Sequence, residues 1–367
     1  MDLRILNNQF DLKQAHSATL EIHSATDLTL CNRHKHTIAV TYPSHWLAPV
    51  KLSPFAVTIE EETIHWMSSI HLVPDSECYN HIRNMEPRHY AGYSHSMAAY
   101  DHALMYCKYI TMWLLWDDQY VETAQNLVDI ELPIRALAGE HNLLSINDPY
   151  VIAFRHIGDE YERLGASRTW RIRFADKMRE WAYHAIEEEK IRRLGTTNEV
   201  NRSFEEAVRL RAITVGIRPN SITLERAVGI ELPDTIIKST EYQLLIDKAA
   251  LICCIINDIV GVPKDLLNQQ IKSNLILYHR MCFNTSLKEA YYAVLALHDE
   301  AILDYDCLGQ RLLENCPSDF KERLSVFIDH LRYMDTGFGF WHRDCVRYQN
   351  WIAGEENYIF HIEIHGR

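Results

Sequence analysis

The chain is poor in the residues that punctuate short structure, with only 13 glycines and 11 prolines among 367 residues. That scarcity argues against a turn-rich β architecture and for long helices. Long apolar runs are lacking as well. Ala249–Ile256 and Ile110–Trp116 fall far short of the ~18 residues needed to cross a bilayer, which excludes membrane-embedded chemistry and membrane insertion. The opening MDLRILNNQFDLK has no apolar stretch of the kind a secretory leader carries. Nine cysteines (31, 78, 107, 253, 254, 282, 307, 316, 345) stand at irregular spacings with no CxxC pair, and the 20 histidines form no HExxH pattern. A disulfide framework and a zinc site are therefore disfavoured, and reduced thiols in a cytoplasmic protein are the simple reading.

What is present is ordinary globular material. Hydrophobic residues make up 47% and charged residues 24%, enough for a large core. The formal charge of −13 is spread along the chain, which argues against nucleic acid or an anionic membrane as the main partner. If the substrate is an anion, local Arg, Lys or metal must overcome that field.

Residues 1–50 read as an extension, partly irregular, with alternation at Leu20, Ile22, Leu28 and Leu30 hinting at short extended segments. From about Ile59 the pattern is helical nearly to the end. Helices are expected over about 59–71, 96–126, 147–163, 168–193, 203–215, 239–260, 287–304, 319–335 and 338–352. Ser203-x-x-Glu206 is a capping box, and Gly216 with Pro219 ends the helix it opens. No linker divides the chain, so residues 51–367 are expected to form one all-α domain of about ten helices, with its site between facing helices.

Four segments carry chemistry. Asp117-Asp118-x-x-x-Glu122 closes the apolar segment that ends at Trp116. On an α-helix Asp118 and Glu122 share a face, and three crowded carboxylates call for a cation, with hard oxygen donors suited to Mg²⁺. Asn257, Gly261 and Asp265 stand at i, i+4 and i+8 after a core-facing run, with Pro263 expected to bend or loosen the helix near its end. Arg211 lies on the same apolar face as Phe204 and Ala207. An inward guanidinium needs an anionic partner and matches phosphate well; the plain alternative is a stem on the core with its head in water. Last, Phe340 and Trp351 bracket Arg347 at helical spacing, with Tyr348 adjacent.

Taken together and in this order, the segments resemble the class I terpene synthase family of bacteria and fungi over roughly residues 54–352. Asp117-Asp118-x-x-x-Glu122 is similar to the family's aspartate-rich motif, and Asn257-x-x-x-Gly261-x-x-x-Asp265 to its second metal motif. Gly261 stands where the family usually has a hydroxyl, and Asp265 where it has Glu. Arg211 resembles the diphosphate-sensing Arg, with Thr214 and Val215 at the linker and effector positions of a helix break. Arg347-Tyr348 resembles the late Arg-Tyr pair, with Trp341 six residues ahead.

The resemblance implies an all-α class I bundle with a central active-site cavity. It implies three Mg²⁺ ions (Mn²⁺ as substitute), two held by Asp117, Asp118 and Glu122 and one by Asn257, Gly261 and Asp265. Arg211, Lys264, Arg347 and Tyr348 would clamp the diphosphate of a linear prenyl substrate, farnesyl diphosphate first and geranylgeranyl diphosphate as the rival. Trp113, Leu114 and Trp341 would line the cavity, where aromatic faces steady a carbocation. A homodimer is compatible with this reading. A chain-elongating prenyl synthase would want a second DDxxD where Asn257-Asp258 stands, and a binding-only relative finds support only in Gly261 and Asp265.

Overall fold

The computed structural model describes residues 34–121, 128–193, 202–349 and 358–366. Thirteen helices of eight residues or more are found among them: α1 Ala56–Ser69, α2 Ser76–Asn84, α3 Pro87–Ser94, α4 Tyr100–Trp116, α5 Val128–Leu137, α6 Pro149–Arg163 and α7 Arg168–Arg193, then α8 Phe204–Thr214, α9 Ile217–Ala227, α10 Thr240–Leu267, α11 Leu275–Phe283, α12 Leu287–Glu314 and α13 Lys321–Asp344. Their starts are written in the sequence. Asp148, Ser239 and Asn274 accept backbone N–H bonds at the heads of α6, α10 and α11, and Ser203 and Ser286 form full capping boxes with Glu206 and Glu289. The architecture is the expected all-α bundle. At its centre α10 is buried along most of its length and packs against α8, α9, α11, α12 and α13. Among the described residues no helix is long and apolar enough to cross a membrane.

Several expectations change. The helix expected to stop near residue 260 runs on through Gly261 and Pro263 to Leu267. Pro263 has no N–H for the Ile259 carbonyl, and the Tyr291 hydroxyl reaches that carbonyl instead in a long 3.5 Å bond. The helix expected over 319–335 and the first part of that expected over 338–352 are one, α13, which passes unbroken through Gly337 to Asp344. Extended Cys345 ends it, Val346–Gln349 is a separate turn, and 350–352 lie outside the described residues. A side chain at 337 would lie 2.6 Å from the Tyr93 backbone, so this glycine serves close packing of α13 on α3 and breaks nothing. Helices α2, α3, α5, α9 and α11 are additions; each is short, and α2 and α9 are polar on average.

The described chain also has two strands, β1 (His34–Tyr42) and β2 (Tyr358–Gly366), paired in parallel from His34 opposite Tyr358 to Tyr42 opposite Gly366. Ile38, Val40, Tyr42 and Ile362 are buried where this ribbon lies on α10, α12 and α13. Alternation in Ile362-Glu363-Ile364-His365 carries the period-two signal of β2. The alternating residues 20–30 lie outside the described residues.

Candidate active site

The site grows from one inward cation. Arg211, on the last turn of α8, is buried and meets four side chains from three helices. Its Nε donates to the Asp258 carboxylate at 3.2 Å and its Nη2 to the same group; Nη1 donates to Glu188 of α7 at 3.1 Å and to Thr214 Oγ1 at 3.1 Å. Nη2 also reaches Asn257 Oδ1 at 3.1 Å. The inward placement expected from the helix face is observed, and the anionic partners are Asp258 and Glu188, both buried. Burial lifts the Asp258 carboxyl to about 6 against the opposing pull of Arg211 and of the Leu275 backbone N–H.

Just beyond Arg211 the chain breaks. Gly216 takes φ +86° between α8 and α9, and a Cβ there would stand 2.2 Å from the Trp113 ring. Only glycine meets both demands. Trp181 Nε1 donates to the Thr214 carbonyl at 2.8 Å, and Asn220 N to the Gly216 carbonyl at 3.3 Å. Between these, Val215 caps the end of α8 and left-handed Gly216 turns the chain away, so the Val215 carbonyl is a helix-terminal carbonyl. Pro219 falls in the first turn of α9, where its missing N–H breaks no helical bond. The sequence thus leaves one carbonyl of the break without its helical bond.

Asn257 is oriented atom by atom. His342 Nδ1 faces the Phe338 carbonyl at 2.7 Å, so that nitrogen carries the proton and Nε2 accepts from Asn257 Nδ2 at 3.1 Å. Asn257 Nδ2 also donates to the Tyr348 hydroxyl at 3.1 Å, which leaves Oδ1 turned toward Arg211. Trp341 is buried among Tyr90, His342 and Tyr348, its indole N–H on the Met85 carbonyl at 3.0 Å. Trp113 stacks on Tyr109 and meets Trp181 edge-on. Leu114 beside it is half-buried. Arg347 lies in the helical turn Val346–Gln349, with its side chain outside those described.

At the end of α4, Asp117 and Asp118 are half-buried, and Asp118 pairs with His81 at 2.8 Å. Here the α-helical spacing argument does not hold: Asp117–Val121 winds as a π-helix, a form that recurs at functional sites. Glu122 lies outside the described residues.

On α10 the two departures from the expected motif prove to be linked. A Cβ at Gly261 would lie 3.1 Å from Asp265 Oδ2, so the shorter acid folds back into the space the glycine leaves. Asn274 Nδ2 holds that oxygen at 2.9 Å, and burial raises the Asp265 carboxyl above its ordinary range, offset in part by Asn274 and half-buried Lys264. Among the described residues no three His, Cys, Asp or Glu side chains converge into a metal-ready group. The donors at the two helix ends are hard oxygens: carboxylates on α4, an amide and a raised carboxyl on α10. That chemistry fits a divalent cation of the magnesium kind, and a dication would relieve the burial of Asp265.

Residues 108–304 match the family model described as "Terpene synthase family 2, C-terminal metal binding", more than half of the chain. The chain belongs to the terpene synthase family. Pristinol synthase of Streptomyces pristinaespiralis is 22% identical to it over 329 residues, covering 86% of this chain and 85% of the relative. The (−)-β-caryophyllene synthase of Saccharothrix espanaensis is 32% identical over 118 residues, 32% of each chain. Among solved structures, hedycaryol synthase in complex with nerolidol superposes with a TM-score of 0.67 at 19% identity over 80% of this chain and 96% of that one. These likenesses agree with the all-α fold. Family members act on prenyl diphosphates and carry a metal-binding domain, and both statements apply to this synthase at that level.

The sequence reading of the synthase missed Glu188, Asp258, Asn274, His342 and His81. Asp258 adjoins Asn257, and an inward Arg211 in want of an anion was the signal for it. Glu188 is the middle of Glu187-Glu188-Glu189, a run that reads as a solvated face. Helical spacing is its signal, since Glu188 stands seven residues after Trp181 and fourteen after Phe174, all on the buried face of α7.

Proposed function

We propose that this synthase ionises farnesyl diphosphate in a Mg²⁺-dependent reaction and cyclises the cation to a sesquiterpene product, with release of diphosphate. The observation that carries the proposal is Arg211, joined at once to Thr214 and to Asn257 beside the Gly216 break. The fifteen-carbon substrate is favoured by the likeness to the (−)-β-caryophyllene synthase, which cyclises (2E,6E)-farnesyl diphosphate.

In this reading Asp117, Asp118 and Glu122 hold two Mg²⁺ ions and Asn257 with Asp265 a third. Bound there, the ions would supply Lewis-acid stabilisation of the charge that grows on the leaving group. The chain's own residues do the rest. Arg211, Lys264, Arg347 and Tyr348 bind the diphosphate, for which Arg211 must exchange part of its hold on Asp258 and Glu188. Because Nη1 also bonds Thr214, a shift of the guanidinium pulls on the break and on the Val215 carbonyl, whose negative end is free to face the allylic cation. His342 and Tyr348 keep the Asn257 amide turned with its oxygen outward. Trp113, Leu114 and Trp341 form apolar wall and exclude bulk water, which would otherwise quench the cation. Residues 51–367 serve as the catalytic domain in this reading, with residues 1–50 an extension to it.

Arg211→Lys tests the proposal. It keeps the charge near Asp258 and Glu188 but cannot serve four partners, so kcat/KM for farnesyl diphosphate should fall by about 10²-fold or more while the far-ultraviolet spectrum stays helical. Unchanged kinetics would reduce Arg211 to a structural ion pair.

A further inference from the structure

Helix α9 carries a polar group that the reaction outlined above does not use. Asn220 is fully buried, and among the described residues neither its Oδ1 nor its Nδ2 has a hydrogen-bond partner. Its depth can be read from its neighbours. Gly216, one turn earlier, abuts the Trp113 ring. Thr223, one turn later, meets His95 Nε2 at 3.2 Å, and His95 stacks on Tyr106 with ring centroids 3.4 Å apart. Thus α9 from 216 to 223 descends beside α4 from Trp113 to Tyr106, and Asn220 stands midway. That level is on the order of 10 Å of helix below Asp117. Helix α9 also touches α10 and α13, and on α13 Asp335 is a second fully buried group with both oxygens unpartnered.

An unpaired buried primary amide is costly unless something satisfies it. A water fits that need, since an amide offers it one acceptor and two donor hydrogens. We propose that Asn220 holds the water that ends the reaction, so that this synthase releases a terpene alcohol instead of a hydrocarbon. The inference rests on the reading of the chain as a prenyl diphosphate-ionising enzyme. In the step itself a lone pair of the water oxygen forms a C–O bond to the cationic carbon. The oxonium then loses a proton to solvent as the product leaves, and the released diphosphate takes one up. Substrate plus water becomes alcohol plus hydrogen diphosphate, with no oxidation or reduction. An amide suits the task because it orients water without being basic enough to strip a proton from the cation, which would give an alkene. Held this deep, the water is also kept from the carbon that loses the leaving group at the moment of ionisation.

The test is incubation of the full chain with Mg²⁺ and farnesyl or geranylgeranyl diphosphate in H₂¹⁸O, with diphosphate release measured beside chiral gas chromatography and mass spectrometry. The expected product is a single-enantiomer alcohol carrying one ¹⁸O. In Asn220→Leu the alcohol share should fall by about tenfold or more in favour of alkenes, with diphosphate release within a few-fold of the parent. Should that variant not fold, Asn220→Val carries the same expectation. Diphosphate release with hydrocarbons alone from the parent, or an alcohol share unmoved in the variant, overturns the inference and leaves the ionising function standing. Absence of diphosphate release from either substrate overturns both.

Discussion

Two buried ionisable residues show how differently a charge can be accommodated. Arg211 is neutralised by Asp258 and Glu188, whereas Asp335 is fully buried with neither oxygen partnered among the described residues. Burial alone lifts the Asp335 carboxyl well above its ordinary value. Near pH 3 it is protonated folded and largely so unfolded. As pH rises the unfolded chain ionises first, so the folded state loses stability through the window up to the raised folded value, by up to ~1.4 kcal/mol per unit. Asp335→Asn should therefore stabilise the protein by on the order of 2 kcal/mol at pH 7.5 and by much less near pH 3.5, as read by urea unfolding. An advantage equal at both pH values would contradict this account. At this scale legibility was uneven. The inward faces of Arg211 and of Glu188, seven residues after Trp181, follow from helical spacing, but whether the two meet depends on the rotation of α7 against α8. Local sequence does not encode that rotation.

Among the elements, the α8–α9 break and the end of α10 carry the site. Left-handed Gly216 leaves the Val215 carbonyl at the end of α8 without a helical donor. In Gly216→Ala the added Cβ would meet the Trp113 ring at 2.2 Å on a positive φ, so the break must shift and kcat should fall by about tenfold or more. Equal kcat would remove the break from the mechanism. On α10, Gly261→Ser needs Asp265 Oδ2 to yield by a few tenths of an ångström, and the added hydroxyl is a further hard oxygen donor. We expect the Mg²⁺ concentration for half-maximal activity to drop or hold, with turnover retained, while Asn257→Ala raises it or abolishes activity. Normal turnover of Asn257→Ala at limiting Mg²⁺ would make this segment an ordinary helix end. Helices with long periodic faces were legible: 168–193 falls where periodicity put it. The errors came from dividing α13 between residues 335 and 338 and from expecting Pro263 to bend or loosen α10 near its end. Neighbouring elements decided both, through close packing on α3 and the hydroxyl of Tyr291. The π-helical turn at Asp117 has no sequence signal in residue periodicity alone.

Across the whole molecule, the sequence conveyed the all-α bundle and the order of its motifs but not the parallel ribbon. Pairing His34–Tyr42 with Tyr358–Gly366 joins segments more than 300 residues apart, a contact that no local pattern reports. The ribbon seats Tyr42 and Ile364 against Gly339 of α13, the helix that leads into Tyr348. At this scale the central problem is electrostatic, since a chain of net charge −13 must bind a diphosphate. Arg211, Lys264 and Arg347 cannot offset that field unaided, and the account gives the remainder to metal held at Asp117, Asp118, Glu122, Asn257 and Asp265. The measurement that reaches this claim most directly is diphosphate release from farnesyl diphosphate by the full chain before and after chelation. Activity should vanish with chelator, return with added Mg²⁺, and be lost in Asp117→Ala whatever the Mg²⁺ concentration. Full turnover in metal-free buffer would contradict it.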